Sequence, residues 1–156
     1  MLSVQGMDHI VLNVADVERS VAFYRDVLGL GIERLEQWRA GSIGFPSVRL
    51  SADTLIDLVQ VKGQVNDAAP REGRITNLNH FCLVVADETL EPAIEHLRGH
   101  GVEVYTGPAR RWGAHGDGVS IYFRDPDGNE IEVRTYSPVA QERLAAGSTA
   151  APARSR

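Results

Sequence analysis

Disulfide chemistry is missing from this chain: among its 156 residues there is one cysteine, Cys82, so no internal bridge can form. A membrane span is missing too, because no apolar run approaches the ~18 residues that one requires. There is no basic excess. Lys and Arg number 16 against 21 Asp and Glu, giving a net charge of -5. Such a mildly acidic balance fits neither a nucleic-acid-binding nor an anionic-membrane surface. The N-terminal stretch MLSVQGMDHIVLNV has no basic segment leading into an apolar one, so no signal peptide is expected. These absences together predict a cytoplasmic protein with neither nucleic acid nor membrane as a partner.

What is present is an ordinary globular composition, 43% hydrophobic and 24% charged, in a length that suits one domain. Residues 8–14 (DHIVLNV) alternate and read as a strand. Asp16 is an N-cap candidate for a helix whose apolar face is Val17, Val21, Tyr24 and Leu28, and Gly29 stops it. Strands are expected near 31–38, 43–50 and 54–61. Residues 62–76 carry no apolar period and read as a linker. The order then restarts. A strand is expected at 79–85 (NHFCLVV), and a helix at 88–98 with Leu90, Ile94 and Leu97 on one face. Strands follow near 102–106, 118–124 and 130–136. Residues 140–156, rich in Ala, Ser, Gly and Arg, read as a flexible C-terminal tail with a possible helical start, which places the domain at 1–139.

Strand, helix and three strands thus occur twice, over about 7–61 and about 78–136. DHIVLNV aligns on NHFCLVV with an offset of 71, and LIDLVQV on EIEVRTY with an offset of 75. The expected fold is α+β: two βαβββ modules forming a cupped, paired mixed sheet with the helices outside.

Strand alternation assigns faces. Ile10, Leu12 and Val14 point toward the helix, and His9, Val11 and Asn13 point away. In the second module Phe81, Leu83 and Val85 face the helix, and His80, Cys82 and Val84 face away. Asp57 and Glu132 share the corresponding face of the two last strands. Any one of these residues is a weak signal, since a strand histidine is usually structural. Two imidazoles and two carboxylates at symmetric positions form an N2O2 set suited to a divalent metal, and a carboxylate in an apolar strand needs such a partner. The competing reading is an internal polar network without metal.

The segments MDHIVLNVADVERSVAFYRDVLGL, NHFCLVV and SIYFRDPDGNEIEV resemble the glyoxalase, bleomycin-resistance and extradiol-dioxygenase superfamily, the vicinal oxygen chelate proteins, over residues 7–136. The resemblance implies one divalent ion (Ni, Co, Mn, Fe or Zn) held by His9, His80 and Glu132. Asp57 stands where glyoxalase I has Glu. It is one methylene shorter, and so binds either directly or through water. Glu132 or Asp57 would move a proton, and Asn13, Cys82, Tyr122 and Arg134 would contact substrate. The implied activity is a metal-dependent, glyoxalase-like lyase or isomerase that chelates two oxygens of a small substrate. An Fe(II) extradiol dioxygenase, a fosfomycin-type thiol transferase and a metal-free drug-binding protein are the alternatives. The resemblance also implies a homodimer.

Three features receive plainer readings. DPDGN lacks the ligand run of a calcium loop and reads as a hairpin turn. Cys82, flanked by apolar residues, reads as a small hydrophobe rather than a nucleophile. GPARRWGAHGDG (107–118) lacks the Gly-Lys-Ser/Thr of a phosphate loop and reads as a surface loop or a substrate-contacting lid.

Overall fold

The computed structural model describes residues 3–62 and 78–146. They fall into two compact units, one containing the chain through residue 62 with Pro126–Gly128, the other containing residues 78–125 and 129–146. The linker expected at 62–76 and the tail beyond 146 lie almost wholly outside the described residues.

In the first unit, strand β1 (His9–Val14) buries Leu12 and Val14 and exposes His9, Val11 and Asn13, the expected alternation. Asp16 caps helix α1 (Val17–Ala22) by accepting a hydrogen bond from the Arg19 amide at 3.1 Å. The helix continues as one π-helical turn, Phe23–Val27, which buries both Phe23 and Tyr24. The change of pitch was not readable from spacing, because Val17, Val21 and Tyr24 occupy the core face in either geometry. Gly29, at φ 68°, supplies the left-handed exit.

The long strand expected at 31–38 is a short one, β2 (Gly31–Glu33), followed by one turn of helix, α2 (Leu35–Arg39). Arg34 causes the break: its φ of 61° turns the chain out of the sheet. Strands β3 (Ser47–Arg49) and β4 (Leu55–Gln60) complete a sheet ordered β1-β4-β3-β2. Strands β1 and β4 pair in parallel and the other neighbours are antiparallel.

The second unit repeats this plan. Strand β5 (Phe81–Val84), helix α3 (Glu91–Gly99) and strands β6 (Thr106–Gly113), β7 (Gly116–Arg124) and β8 (Glu130–Thr135) give the order β5-β8-β7-β6, with β5 and β8 parallel. The sequence alignment holds to the residue: Val11 pairs with Asp57 as Cys82 pairs with Glu132. The molecule is α+β, two four-stranded mixed sheets with helices.

Residues 107–118 are not a loop. They form most of the β6–β7 hairpin, with only Ala114 and His115 at its tip. The glycines that suggested mobility serve close packing instead. A Cβ on Gly107 would come within 2.3 Å of the Ser120 carbonyl oxygen. The start of the expected tail is also structured. Helix α4 (Pro138–Ala145) is capped by Ser137, buries Ala140, and closes with Leu90, Pro108, Val119 and Leu144 around one small pocket.

The DPDGN segment is a turn, as expected, closed by Asp125, which accepts hydrogen bonds from the Asn129 amide and side chain at 2.8 Å each. Its central carboxylate does more. Asp127, 2% exposed, accepts from the Ala15 amide at 2.9 Å and from Arg19 and Ser20 at 2.8 Å each, and so pins the start of α1. Asp127→Ala leaves these donors unpaired, and the expected loss is about 2–4 kcal/mol of stability. Urea unfolding followed by circular dichroism measures it, and Asp127→Asn is expected to retain part of the difference.

Candidate metal centre

Strand pairing sets the site. Glu132 lies between Cys82 on β5 and Tyr122 on β7 in register, so the side chains of the three share one face of the second sheet. His80, two residues before Cys82, joins them on that face. Glu132 is 3% exposed, and nearly every nearby donor is aimed at it. Oε1 accepts from Arg134 Nη2 at 2.7 Å and Nε at 3.1 Å. Oε2 lies 3.0 Å from His80 Nε2. The hydroxyls of Ser120 and Tyr122 also hydrogen-bond the carboxylate. Burial alone would raise its pKa, but the hydrogen bonds from Ser120 and Arg134 and the Arg134 charge outweigh burial, and the group is held below the ordinary glutamate value.

His80 is oriented from its other side. Its Nδ1 lies 2.7 Å from the Asn79 side-chain oxygen, which makes Nδ1 the donor and leaves Nε2 as the nitrogen facing Glu132. Tyr122 stands edge-on to the imidazole at 5.6 Å between centroids. His9 in the first unit repeats the device, with Nδ1 2.6 Å from Asp8 Oδ1. That hydrogen bond raises the His9 pKa. Sequence reasoning missed Asp8 and Asn79. The signal was available, because an oxygen-bearing side chain precedes the histidine at the same position of both modules.

Asp57 differs from its counterpart. It is buried, and its Oδ1 accepts from Ser47 Oγ at 2.6 Å. Arg34 Nη2 donates to Ser47 Oγ at 2.8 Å and stands 3.8 Å from Asp57 Oδ1, with its guanidinium over the Phe45 ring. The Oδ2 of Asp57 takes part in none of these contacts. Asn13 is exposed on β1, on the face that carries His9.

The donor set of the second unit fits a divalent ion. Two ligands about 2.1 Å from a metal and roughly 90° apart sit about 3.0 Å from each other; His80 Nε2 and Glu132 Oε2, an ion pair at 3.0 Å, can therefore turn to a shared ion with little movement. Among the described residues no three His, Cys, Asp or Glu side chains cluster closely enough to form a complete centre.

Among the expected substrate contacts, Arg134 is committed within the protein. Arg134 is 4% exposed and is spent on Glu132, Ser120, the Trp112 carbonyl and the Tyr136 hydroxyl. It passes through a gap made by glycine: a Cβ on Gly113 would fall 1.4 Å from Arg134 Nη1. Cys82, exposed on the site face, is a poor nucleophile: partial desolvation by its neighbours and then the Glu132 charge push its thiol up to about 11. Tyr122 remains at the site edge, its hydroxyl shared by Glu132 and Arg111, and burial raises its pKa. Arg111, a further residue missed from the sequence, lies over the Tyr122 ring at 5.8 Å.

Two predictions follow from this geometry. Gly113→Ala displaces a buried guanidinium, and a loss of about 1–3 kcal/mol is expected in thermal or urea unfolding. Alkylation of Cys82 by iodoacetamide at pH 8 is expected to run about a hundredfold slower than that of an unhindered thiol, as the lower thiolate fraction requires; mass spectrometry over time reads the rate.

Comparison with known proteins agrees with the fold. The chain is 33% identical over 135 residues to the glyoxalase domain-containing protein RDO1 of Mycosarcoma maydis, covering 86% of this chain and 70% of that one. It is 32% identical over 145 residues to the glutathione transferase FosA of Serratia marcescens, covering 91% and 87%. The solved structure of an integron cassette protein from Vibrio cholerae superposes with a TM-score of 0.68 at 33% identity, covering 88% of this chain and 99% of that one. The family model for the Glyoxalase/Bleomycin resistance protein/Dioxygenase superfamily matches residues 6–133, and the chain belongs to that superfamily.

Proposed function

We propose that this protein is a metal-dependent enzyme acting on a small oxygenated molecule at a centre held by His9, His80 and Glu132. The observation that carries the reading is the His80–Glu132 pair: an imidazole nitrogen, its ring anchored through Nδ1 to Asn79, 3.0 Å from a buried carboxylate oxygen. His9, with the same Nδ1 anchoring, is the natural third donor. When bound, the ion supplies Lewis-acid polarisation of the substrate oxygens.

The chain's own groups divide the remaining work. Arg134 holds Glu132 Oε1, so only Oε2 is presented, and Glu132 acts as a fixed one-oxygen ligand. Asp57 is tied to Ser47 and Arg34 through Oδ1, an arrangement that suits a positioned base better than a fourth ligand. Three protein donors would leave coordination positions for substrate. Addition of a thiol to an oxygenated substrate is the first reading, supported by the relative named glutathione transferase. Glyoxalase-like lyase or isomerase chemistry is the second reading, favoured by the unshared Asp57 Oδ2 as a proton carrier and by the relative with a glyoxalase domain.

The working unit proposed is a homodimer. Val11 at 52% and Val84 at 62% exposure leave apolar surface on the strand faces that carry His9 and Cys82, which a second copy would cover. Sedimentation at micromolar concentration is expected to give twice the chain mass.

His80→Ala and His9→Ala are each expected to lose most of the bound metal with the circular dichroism spectrum unchanged, because both side chains lie off the core face. Asp57→Ala is expected to keep the metal and lose activity. Elemental analysis of protein purified without added metal, and a panel of hemithioacetal, catechol and fosfomycin substrates with and without thiol, read these outcomes. A full metal complement in His80→Ala would leave the metal-free binding reading in its place.

A further inference from the structure

Five histidines occur in the chain. His9 and His80 belong to the centre proposed above, and His115 packs edge-on against Tyr136. His96 and His100 remain, at the C-terminal end of α3 and far along the chain from either strand histidine. Both are exposed, while Ile94 and Leu97 turn to the core. The backbone between them is still helical: the His100 amide donates to the His96 carbonyl at 3.2 Å. Residues four apart on a helix share a face, and here the two imidazole rings meet with centroids 4.6 Å apart and planes inclined at 54°.

That separation suits shared coordination. With metal–nitrogen bonds of about 2.1 Å, each ring centroid lies roughly 3.2 Å from the ion, so two cis ligands at angles from about 90° to 109° place their centroids about 4.5–5.2 Å apart. A histidine pair at i and i+4 is also the two-nitrogen half of helix-borne zinc sites. The position adds a second attraction, since the last turn of a helix carries partial negative charge that favours a cation. The pair sits at that end, with His100 as the C-cap residue.

We propose that His96 and His100 form a second, surface site for a borderline divalent transition ion such as Ni(II), Zn(II) or Cu(II), completed by water and independent of the strand-borne centre. The ion would tie the final turn of α3 to the preceding one and close the end of the helix that packs Ile94 and Leu97 into its unit. It would also raise the metal stoichiometry above that of the centre alone, so a second equivalent found by elemental analysis would be assigned here rather than to the centre.

The test is a Ni(II) titration by calorimetry of the metal-stripped full chain at pH 7.5, repeated in the His80→Ala background. The expected result is one binding equivalent that persists in His80→Ala and is weakened about tenfold or more in both His96→Gln and His100→Gln. Circular dichroism checks that the exposed substitutions leave the fold intact. The proposal is overturned if no equivalent survives in His80→Ala, or if either glutamine variant binds Ni(II) as the parent does. Loss of one of two equivalents in His80→Ala with the other retained supports the proposal and assigns the lost one to the strand-borne centre.

Discussion

A carboxylate at 3% exposure on a central strand is the constraint around which the second half of the molecule is arranged. An unpaired charge there would cost several kcal/mol, so its neighbours on the sheet are chosen to meet it. Arg134, two residues along the same strand, supplies the opposite charge. Its guanidinium needs space that a side chain would fill, and Gly113 and Gly118 leave that space. Ser120 and Tyr122 on β7 bring their hydroxyls to the same oxygens. The sequence of the β6–β7–β8 meander, including glycines that look like loop residues, is largely the consequence of keeping one glutamate ionised in the sheet.

The two modules meet the same problem differently. Glu132 receives a direct bidentate contact from an arginine on its own strand, whereas Asp57 receives a serine hydroxyl with an arginine behind it, from a residue in the left-handed region. The shorter side chain is drawn back into the Ser47–Arg34 network. Duplicated architecture thus carries unequal chemistry: one carboxylate is presented through a single oxygen beside an imidazole, and the other is held by a hydroxyl with one oxygen uncommitted.

Much of this was legible before any coordinates. Strand alternation and the two offsets located His9, His80, Asp57 and Glu132 on equivalent faces, and the observed pairing of Val11 with Asp57 and of Cys82 with Glu132 agrees. What escaped were features that period-2 and period-3.6 patterns do not encode. The π turn at Phe23–Val27 buries the same positions as an α-helix would. The break at Arg34 depends on a backbone angle that arginine rarely adopts. The 107–118 segment was misread because glycine is ambiguous in sequence: it marks a turn where φ demands it and a close approach where a Cβ would collide, and only packing distinguishes the two.

The division of labour between the two oxygens of Glu132 bears on how the site can work. Because Arg134 already compensates the charge, the carboxylate is ionised and aimed before any ion arrives. An ion bound as proposed would have neither to deprotonate the group nor to reorient it, and would compete only for Oε2. The Asn79 contact does the same for His80 by leaving Nε2 outward. Preorganisation of this kind lowers the entropy cost of binding. It also limits what Glu132 can do afterwards: with one oxygen paired to arginine and the other facing His80, it has no free position from which to carry a proton.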